Sequence, residues 1–506
     1  MADVQTSLRS AGWVSLWTVG HLVVQLAFQI ALAQYFGASA DMDAYVAAIA
    51  LPAVITSIAV APLGFAYIPV LSAQWDQGND QAAWSIANQF LFLLVITTGA
   101  LSTGVFLLAR PLAALLYPGF ASDQVDLSAE LLMVLAWLIF ANGLIAHTQA
   151  VHHAQKRFLT PAAAPLAGIA TTVVLTVIFR GGGITAVAKS VVAGSFTTVI
   201  LQLVPLLGRL RLEMRLSDQV RSCLRLMVPL VCGAAYYRLD PLIDRYLASA
   251  LPVGSISHLG YASRVVTALL MISTSGLSIV AFPSFARQHA RGDMGGLRAE
   301  VAHAMSCVSV IVVPLLIGLG TYSQPVVNDV FQRGAFTPAD ARAVSVLLVL
   351  YLGMVAGAAI GEITSKVLYA LGDTRTPTIM GCVGFTLGLL GKFALVTVAG
   401  AAGIVAATSA YYLFVAVLLG IAVRVKLGRG AYQGVVGATL RAVCAAVLAT
   451  AAVWPLVHSE LPLASLLAAP VGGLLYLIGL VALGDDLARR LVKYAAILVF
   501  RHRGLV

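Results

Sequence analysis

The sequence predicts an all-α polytopic membrane protein of about fourteen transmembrane helices, built as two parallel six-helix lobes plus two C-terminal helices. Three observations predict this class. Apolar residues make up 60% of the 506-residue chain and charged residues only 10%, against roughly 45–50% and 25% in soluble domains. Apolar runs of about 20 residues, long enough to cross the ~30 Å hydrocarbon core, follow one another along the chain. Similar text recurs at a separation of about 216 residues, as in transporters built from repeats.

Each apolar run predicts one membrane-spanning helix. The predicted spans lie near residues 13–36, 44–72, 85–109, 128–151, 160–180, 184–207, 226–250, 258–283, 300–321, 342–370, 377–399, 402–424, 436–457 and 463–484. The first run is too long for a signal-peptide core and lacks a small-residue cleavage site. We therefore expect it to be retained as a helix.

The charges between the runs predict the orientation. Arginines and lysines cluster in alternate connections, such as 209–225 and the tail after residue 485, whereas the opposite connections contain acidic residues such as Asp41 and Asp123. The positive-inside rule then places both termini in the cytoplasm. Since topology explains the net charge of +10, and no basic face on a folded domain is evident, we expect no nucleic-acid partner.

The repeat predicts the domain organisation. The matching segments are YFGASADMDAY at Tyr35 with ALPVGSISHLGY at Ala250, IPVLSAQWDQGN at Ile68 with FPSFARQHARGD at Phe282, YPGFASDQ at Tyr117 with QRGAFTPAD at Gln332, and KRFLTP ending at Pro161 with GDTRTP ending at Pro377. Six helices separate the copies, so both enter the membrane in the same direction. We predict an N-terminal lobe over 1–215, a C-terminal lobe over 216–432, and two extra helices with a basic tail over 433–506. Two such lobes predict a central cleft with alternating access.

The seventh predicted helix contains four charged residues in the stretch YYRLDPLIDRYLAS. A charge at the bilayer centre costs roughly 2.5–3.5 kcal/mol, so Arg238, Asp240, Asp244 and Arg245 are expected to face a cavity or a partner. Pro241 predicts a kink or a break between them. The alternative is a set of ion pairs that locks this helix to a neighbour.

Three further charges inside predicted helices are candidate cavity residues. Arg264 lies too far inside the eighth helix for easy snorkelling, and its planar guanidinium suits a phosphate or a carboxylate. Glu362 and Lys366 have the i to i+4 spacing of a favourable salt bridge, so a structural pair and a functional pair are both open. Lys189 and Lys392 lie nearer helix ends, where snorkelling is expected, and contact with the substrate is the alternative.

Histidines and glutamines suggest a second polar feature. His21, Gln25 and Gln29 recur every four residues in the first helix and form one polar stripe, which should face protein or water. The stripe is either a hydrogen-bond ladder between helices or, through His21, a place for a transported proton. His152 and His153 lie near basic residues at a helix end, where we expect them to meet lipid headgroups.

Signatures of catalysis or of a bound cofactor are absent from the sequence. There is no GxSxG, HExxH, Walker A or Rossmann pattern, and the five cysteines have no metal-ligand spacing. We therefore expect a transporter and not an enzyme, with no metal and no cofactor. Its energy would come from the membrane potential, a gradient of an ion such as a monovalent cation, or substrate flux.

Several segments resemble a known family. YFGASADMDAYVAAIALP, LIDRYLASALPVGSIS followed by YASR, FQRGAFTPAD and KVLYALGDTRTP resemble the MurJ (MviN) lipid II flippases of the MOP (multidrug/oligosaccharidyl-lipid/polysaccharide) exporter superfamily. The resemblance covers most of the chain up to the twelfth helix. It implies the V-shaped fold of that superfamily, with two extra helices that shape a groove for a polyprenyl tail, and a place in the bacterial cytoplasmic membrane.

The resemblance also implies roles for individual residues. Asp43 matches the aspartate after the family's FGA turn, Ser257 a serine of the cavity, Arg264 an arginine required in lipid II flippases, and Lys366 a family lysine. The chain departs from the pattern in its first two helices, where the family has cavity arginines. The residues at these places are Leu22, Phe28 and Thr56, and Ser263 replaces an acidic neighbour of Arg264.

The sequence therefore predicts a flippase for a polyprenyl-pyrophosphate-linked saccharide, either lipid II for peptidoglycan biosynthesis or a related exopolysaccharide or capsule unit, with Arg264 on the pyrophosphate. The expected partners are that substrate, membrane lipids and enzymes of cell-wall or polysaccharide synthesis. One alternative is a cation-coupled multidrug antiporter of the same superfamily. Another is a non-transporting membrane scaffold that recruits wall or polysaccharide enzymes through its basic loops.

Overall fold

The structure is a computed structural model that describes residues 2–60, 63–459, 461, 463–485 and 487–490. Within these residues the regular secondary structure is entirely helical, which confirms the predicted all-α class. The chain forms two compact units that divide between Ser257 and His258. The predicted domain limits at 215 and 432 stay predictions.

The first unit contains eleven α-helices in its described residues. They are α1 (Ala2–Phe36), α2 (Ala40–Val60), α3 (Ile68–Asp76), α4 (Asp80–Leu107), α5 (Ala109–Leu116), α6 (Ser122–Leu135), α7 (Trp137–Ala154), α8 (Leu159–Ile178), α9 (Gly183–Leu203), α10 (Asp218–Arg238) and α11 (Asp240–Ala248). A π-helical turn, Leu63–Tyr67, precedes α3, and 3₁₀ turns lie at Arg180–Gly182 and Val204–Leu206. Helix α1 packs on α8, α8 on α9, α4 on α7, and α2 on α6 and α7.

The second unit contains the remaining helices. They are α12 (Ser255–Ala290), whose first turn lies at the division, α13 (Met294–Phe331), α14 (Pro338–Ala370), α15 (Arg375–Leu427), α16 (Val435–Val457) and α17 (Ala464–Ala482). A 3₁₀ turn at Arg429–Tyr432 follows α15. Helix α14 packs between α13 and α15, and α16 packs on α13 and α17. One core, which includes Phe285, Val301, Val367 and Val423, joins α12 to α15.

Among the described residues, eleven helical segments are long and apolar enough to cross a membrane. The predicted count of fourteen includes α15 twice, since this 53-residue helix covers the spans predicted at 377–399 and 402–424. Its two parts meet at Gly400, whose φ of 56° and ψ of −134° interrupt the helix. The count also includes the α10–α11 pair and α12, which are not among the eleven. The multi-pass membrane class is thus confirmed, and the number of spans is approximate.

The backbone repeats with the same period as the sequence. Helices that start at equivalent places, 214 to 216 residues apart, are α4 and α13, α6 and α14, and α8 and α15. Residues with positive φ recur 214 to 217 residues apart at Gly37 and Gly254, Gly78 and Gly292, Lys156 and Gly372, and Gly183 and Gly400. The two copies therefore share turn geometry as well as helix positions.

Close helix packing also recurs between the copies. A Cβ atom on Gly168 of α8 would lie 2.6 Å from the carbonyl oxygen of Gly194 on α9. Gly384, 216 residues later in α15, is likewise in tight contact, with the side chain of Val415. Small residues allow helix backbones to approach in membranes, where packing replaces the hydrophobic effect as the main attraction. Each unit thus has its own tightly packed helix pair at the same point of the repeat.

Candidate substrate site

The start of α12 is held by an aspartate of α2. Asp43 and Ser257 are both buried, with exposed fractions of 3% and 0%. The Asp43 carboxylate accepts hydrogen bonds from the amide of Gly254 at 2.6 Å, the amide of Ser257 at 2.7 Å and the Ser257 hydroxyl. An anion that accepts from the first amides of a helix satisfies groups that have no partner within the helix. The structure thus brings these two predicted cavity residues together as a helix cap.

The same end of the first unit has further tight contacts. Tyr117 donates its hydroxyl hydrogen to the carbonyl oxygen of Ala47 at 2.6 Å. The amide of Gly119 donates to the Ser249 hydroxyl, and a Cβ on Gly119 would lie 2.5 Å from the carbonyl oxygen of Ser249. Only glycine fits this approach. These contacts fix the end of α11, which carries three of the four charged residues of the seventh predicted span, Asp240, Asp244 and Arg245.

The predicted break in that span is confirmed. Helix α10 ends at Arg238 and α11 begins at Asp240, with Pro241 in its first turn. Arg238 is exposed, whereas Asp244 is only 6% exposed. Arg245 donates from its guanidinium to the carbonyl oxygen of Pro241 at 3.1 Å. The break therefore separates an exposed cation from a buried carboxylate of the same stretch.

Arg264 belongs to the second unit. It lies in the third turn of α12, and its side chain is exposed. Ser263, the neighbour that replaces an acidic residue, donates to the carbonyl oxygen of Gly260 within the helix at 2.9 Å. The Ser263 hydroxyl is therefore bonded within its own helix, and position 263 contributes no charge beside Arg264.

Glu362 and Lys366 form the ion pair that their spacing predicts. On α14 the Lys366 ammonium lies 3.0 Å from the Glu362 carboxylate, and the two side chains are 24% and 42% exposed, lysine first. Partial exposure places both charges within reach of solvent or a ligand. Whether the pair also serves transport stays a prediction.

The polar stripe of α1 has an uneven environment. Gln29 is buried, while His21 and Gln25 are half-buried. Nδ1 of His21 is buried and has no hydrogen-bond partner among the described residues. Of the residues that replace cavity arginines, Phe28 is buried and Leu22 is exposed. The hydroxyl of Thr56 is buried, with no hydrogen-bond partner among the described residues.

The two appended helices form an apolar groove with α13. Its volume is about 300 Å³. The wall residues are small or apolar and include Gly318, Leu319, Ala449, Val453, Ala469 and Gly473. Ser465 at the start of α17 donates both its amide and its hydroxyl hydrogen to the Asp329 carboxylate, at 2.8 and 2.6 Å, and so ties α17 to the end of α13. A groove of this composition can hold a hydrocarbon chain.

Two expectations about charged or polar residues at helix ends are wrong. Lys392 does not snorkel, since its side chain is fully buried within α15. His152 does not face headgroups, since it too is fully buried and its ring contacts the carbonyl oxygen of Gln202 at 2.9 Å. Hydropathy locates a residue along the helix but not around it, and both residues lie on inward faces.

The sequence did not reveal a buried pair in the first unit. The hydroxyl of Tyr67, in the π-helical turn, lies 3.2 Å from Nδ1 of His147 on α7, and both side chains are fully buried. The next residue, Thr148, donates to the side chain of Gln202 on α9 at 2.7 Å. The available signal was the spacing of His147, Thr148 and His152 within one apolar helix.

Comparisons of the sequence with known proteins agree on one family. The profile of the family described as "Lipid II flippase MurJ" matches residues 32–468. A probable lipid II flippase MurJ of Bdellovibrio bacteriovorus is 24% identical over 400 residues, which cover 76% of each chain. The lipid II flippase MurJ of Burkholderia cenocepacia is 25% identical over 410 residues, which cover 77% of this chain and 78% of its own.

Solved structures share the fold. A lipid II flippase MurJ in an inward closed conformation has a TM-score of 0.77 at 20% identity and covers 95% of this chain and 99% of its own. An inward-facing multidrug resistance MATE transporter of the MOP superfamily has a TM-score of 0.71 at 14% identity, with coverage of 82% and 96%. The predicted membership of a transporter family, and not of an enzyme family, is thereby confirmed. The chain belongs to the MurJ family of lipid II flippases.

Proposed function

We propose that this protein moves a polyprenyl-pyrophosphate-linked saccharide from the cytoplasmic to the outer leaflet of the bacterial cytoplasmic membrane. The observation that carries the proposal is the family match over residues 32–468. The apolar groove of α13, α16 and α17 supports it, because a polyprenyl tail needs a long apolar surface. Arg264 would bind the pyrophosphate, since a guanidinium donates paired hydrogen bonds to phosphate oxygens.

The direction and the mechanism are part of the same proposal. The alternation of basic connections supports cytoplasmic termini, and the two copies of the repeat support alternating access. An inside-negative potential favours the export of an anion by about 2.3 kcal/mol per charge per 100 mV. We propose that this potential, or the gradient of a monovalent cation, drives the cycle.

The saccharide is lipid II or a related exopolysaccharide or capsule unit. The family name favours lipid II. Leu22, Phe28 and Thr56 favour a variant substrate, because each stands where the resemblance implies an arginine, and fewer cations remain to hold a pyrophosphate. Depletion of the protein distinguishes the two substrates: cell lysis supports lipid II, whereas loss of surface polysaccharide from intact cells supports the variant. Normal walls and normal surface polysaccharide after depletion would contradict both.

The role of Arg264 is tested in a strain that depends on this protein. We expect Arg264→Ala to abolish flipping at normal protein levels, while Arg287→Ala, an exposed arginine at the other end of α12, leaves it unchanged. Normal flipping by the Arg264 variant would remove the proposed role.

The second candidate function is a cation-coupled drug antiporter, because the fold is similar to that of a multidrug resistance MATE transporter. Uptake of cationic dyes that changes with Asp240→Asn would favour the antiporter. A crosslink between the lobes that leaves the depletion phenotype fully complemented would instead favour a scaffold for wall or polysaccharide enzymes.

A further inference from the structure

Two hollows lie side by side on the first unit. Their walls come from the end of α3, the start of α4, the end of α7 and the segment 205–213 that follows α9. Their volumes are about 520 Å³ and 630 Å³. They share three wall residues, Asp80, Trp84 and Arg209. The first hollow is also lined by Gln155, Lys156, Arg157 and Trp75. We call this first hollow the basic cradle.

Two of the three cations of the basic cradle are available to a ligand. The Lys156 ammonium lies 2.8 Å from the Asp76 carboxylate, so these charges neutralise each other. Among the described residues, no carboxylate lies within ion-pair distance of Arg157 or Arg209. The Arg209 guanidinium instead lies 5.9 Å from the ring centre of Trp84, a cation–π contact that leaves its outer donors open.

The position of Arg209 is fixed by the segment that follows α9. Asn88 of α4 donates to the carbonyl oxygen of Arg209 at 3.4 Å and accepts from the amide of Arg211 at 2.9 Å. Ser85 donates to the Glu213 carboxylate at 2.7 Å. A segment held by its backbone loses little freedom when its side chain binds a ligand. The basic cradle is therefore partly preorganised.

The surroundings of the basic cradle match the boundary of a membrane. Trp75 and Trp84 pack edge to face, 5.8 Å between ring centres, and tryptophan favours the interface between hydrocarbon and water. Phe158 and Leu207, close in sequence to Arg157 and Arg209, are 47% and 58% exposed. Arginines next to exposed apolar side chains contact a headgroup and the start of its acyl chains at the same time.

We propose that the basic cradle binds the headgroup of an anionic glycerophospholipid of the phosphatidylglycerol type. Arg157 and Arg209 hold the phosphate through charge-assisted hydrogen bonds. Gln155 also lines the basic cradle, and its side-chain amide forms a hydrogen bond with a hydroxyl of the glycerol headgroup. This site is separate from transport and does not depend on the proposed substrate.

The test is a lipid titration of the purified full chain, read by native mass spectrometry, with phosphatidylglycerol and phosphatidylcholine of identical acyl chains. We expect tighter binding of phosphatidylglycerol. Arg157→Ala and Arg209→Ala should each weaken it about five-fold, from roughly 1 kcal/mol per basic residue near an anionic surface, and lysine at either position should restore most of it. The matched control is Arg180→Ala, an exposed arginine beyond the other end of α8, with binding unchanged.

Three outcomes would overturn the proposal. They are equal binding of the two lipids, an equal loss in the Arg180 variant, and displacement of the lipid by millimolar inorganic phosphate, which would identify a site for a free anion. Flipping is measured separately in the same variants. Lost lipid selectivity with normal flipping is the expected pattern, and lost flipping in the Arg264 variant leaves this inference untouched.

Discussion

Asp43 and Ser257, 214 residues apart in sequence, are joined by two hydrogen bonds to one carboxylate oxygen. Both hydrogens, from the amide and from the hydroxyl, come from Ser257. The other carboxylate oxygen of Asp43 accepts from the amide of Gly254. Together the two oxygens connect the first turn of α2 to the first turn of α12. The pair thus fixes where α12 begins.

Removal of this carboxylate should destabilise the protein. Asp43→Ala leaves two buried amides without an acceptor, at a cost of about 2–3 kcal/mol for hydrogen bonds to a charged group, and Ser257→Ala should cost about 1 kcal/mol. Thermal unfolding in detergent and amide exchange at the start of α12 measure both effects. Asp41→Ala changes an exposed aspartate two residues earlier and should alter stability by less than about 0.5 kcal/mol. Equal melting of the Asp43 and Asp41 variants would contradict the capping role.

The Glu362–Lys366 pair should matter more for flipping than for stability. A partly exposed i, i+4 pair contributes about 0.3–0.5 kcal/mol, so the double exchange Glu362→Lys with Lys366→Glu should leave the melting temperature nearly unchanged. If the two charges contact the substrate, the exchanged pair places them in the wrong order, and flipping falls at least ten-fold. The single variants Glu362→Gln and Lys366→Gln provide the reference. Full flipping by the exchanged pair would limit its role to mutual attraction.

The apolar groove should lose its function when it is filled. A Cβ on Gly473 would meet no atom within 4 Å, and Gly473 lines the groove, so Gly473→Phe adds a ring at the groove wall. We expect normal folding and weaker flipping, because the ring takes the space of the polyprenyl tail. Gly104→Phe is the matched control, since a Cβ at Gly104 also has no atom within 4 Å and α4 lies outside the groove. Equal flipping by both variants would show that the groove is not used.

The connection between α14 and α15 should respond to acid. The Lys426 ammonium, 2.6 Å away, and hydrogen bonds from Thr376 hold the pKa of Asp373 well below its usual range. A depressed pKa stabilises the folded state above the unfolded value of about 3.9, and the contribution is lost as pH falls through the folded pKa. Asp373→Asn should therefore lower the melting temperature at pH 7, and the difference should shrink progressively below pH of about 4.

The control for this experiment is Asp123→Asn, an exposed aspartate at the start of α6. Its effect should be small at every pH. A difference between wild type and the Asp373 variant that stays constant on acidification would show that the carboxylate charge does not stabilise this connection.

The fold was largely predictable because hydropathy and the repeat are local and periodic signals. The starts of α6 and α14 at Ser122 and Pro338 follow the 216-residue separation, and Pro241 predicted the break before α11. Contacts between distant residues were not predictable. Asp43 and Ser257 were each chosen by family resemblance, and neither the repeat nor the spacing showed that they bind each other.

The sequence also did not predict which face of each helix is buried against protein. Lys392 and His152 are fully buried, yet a lysine or a histidine near a helix end usually extends toward water. In a membrane protein both the lipid-facing and the protein-facing sides are apolar, so hydropathy cannot distinguish them. Only the packed structure identifies the side on which each residue lies.

Lys156 adopts a φ of 59°, whereas the equivalent residue of the second copy is Gly372 with a φ of 76°. A left-handed backbone costs a residue with a side chain about 1–2 kcal/mol, and glycine is largely spared this cost. If the copies arose by duplication, both have kept the bend while the residue that forms it differs between them. In the first copy the strained residue, Lys156, forms an ion pair with Asp76. The geometry of the turn is therefore shared by the two halves although the residue is not.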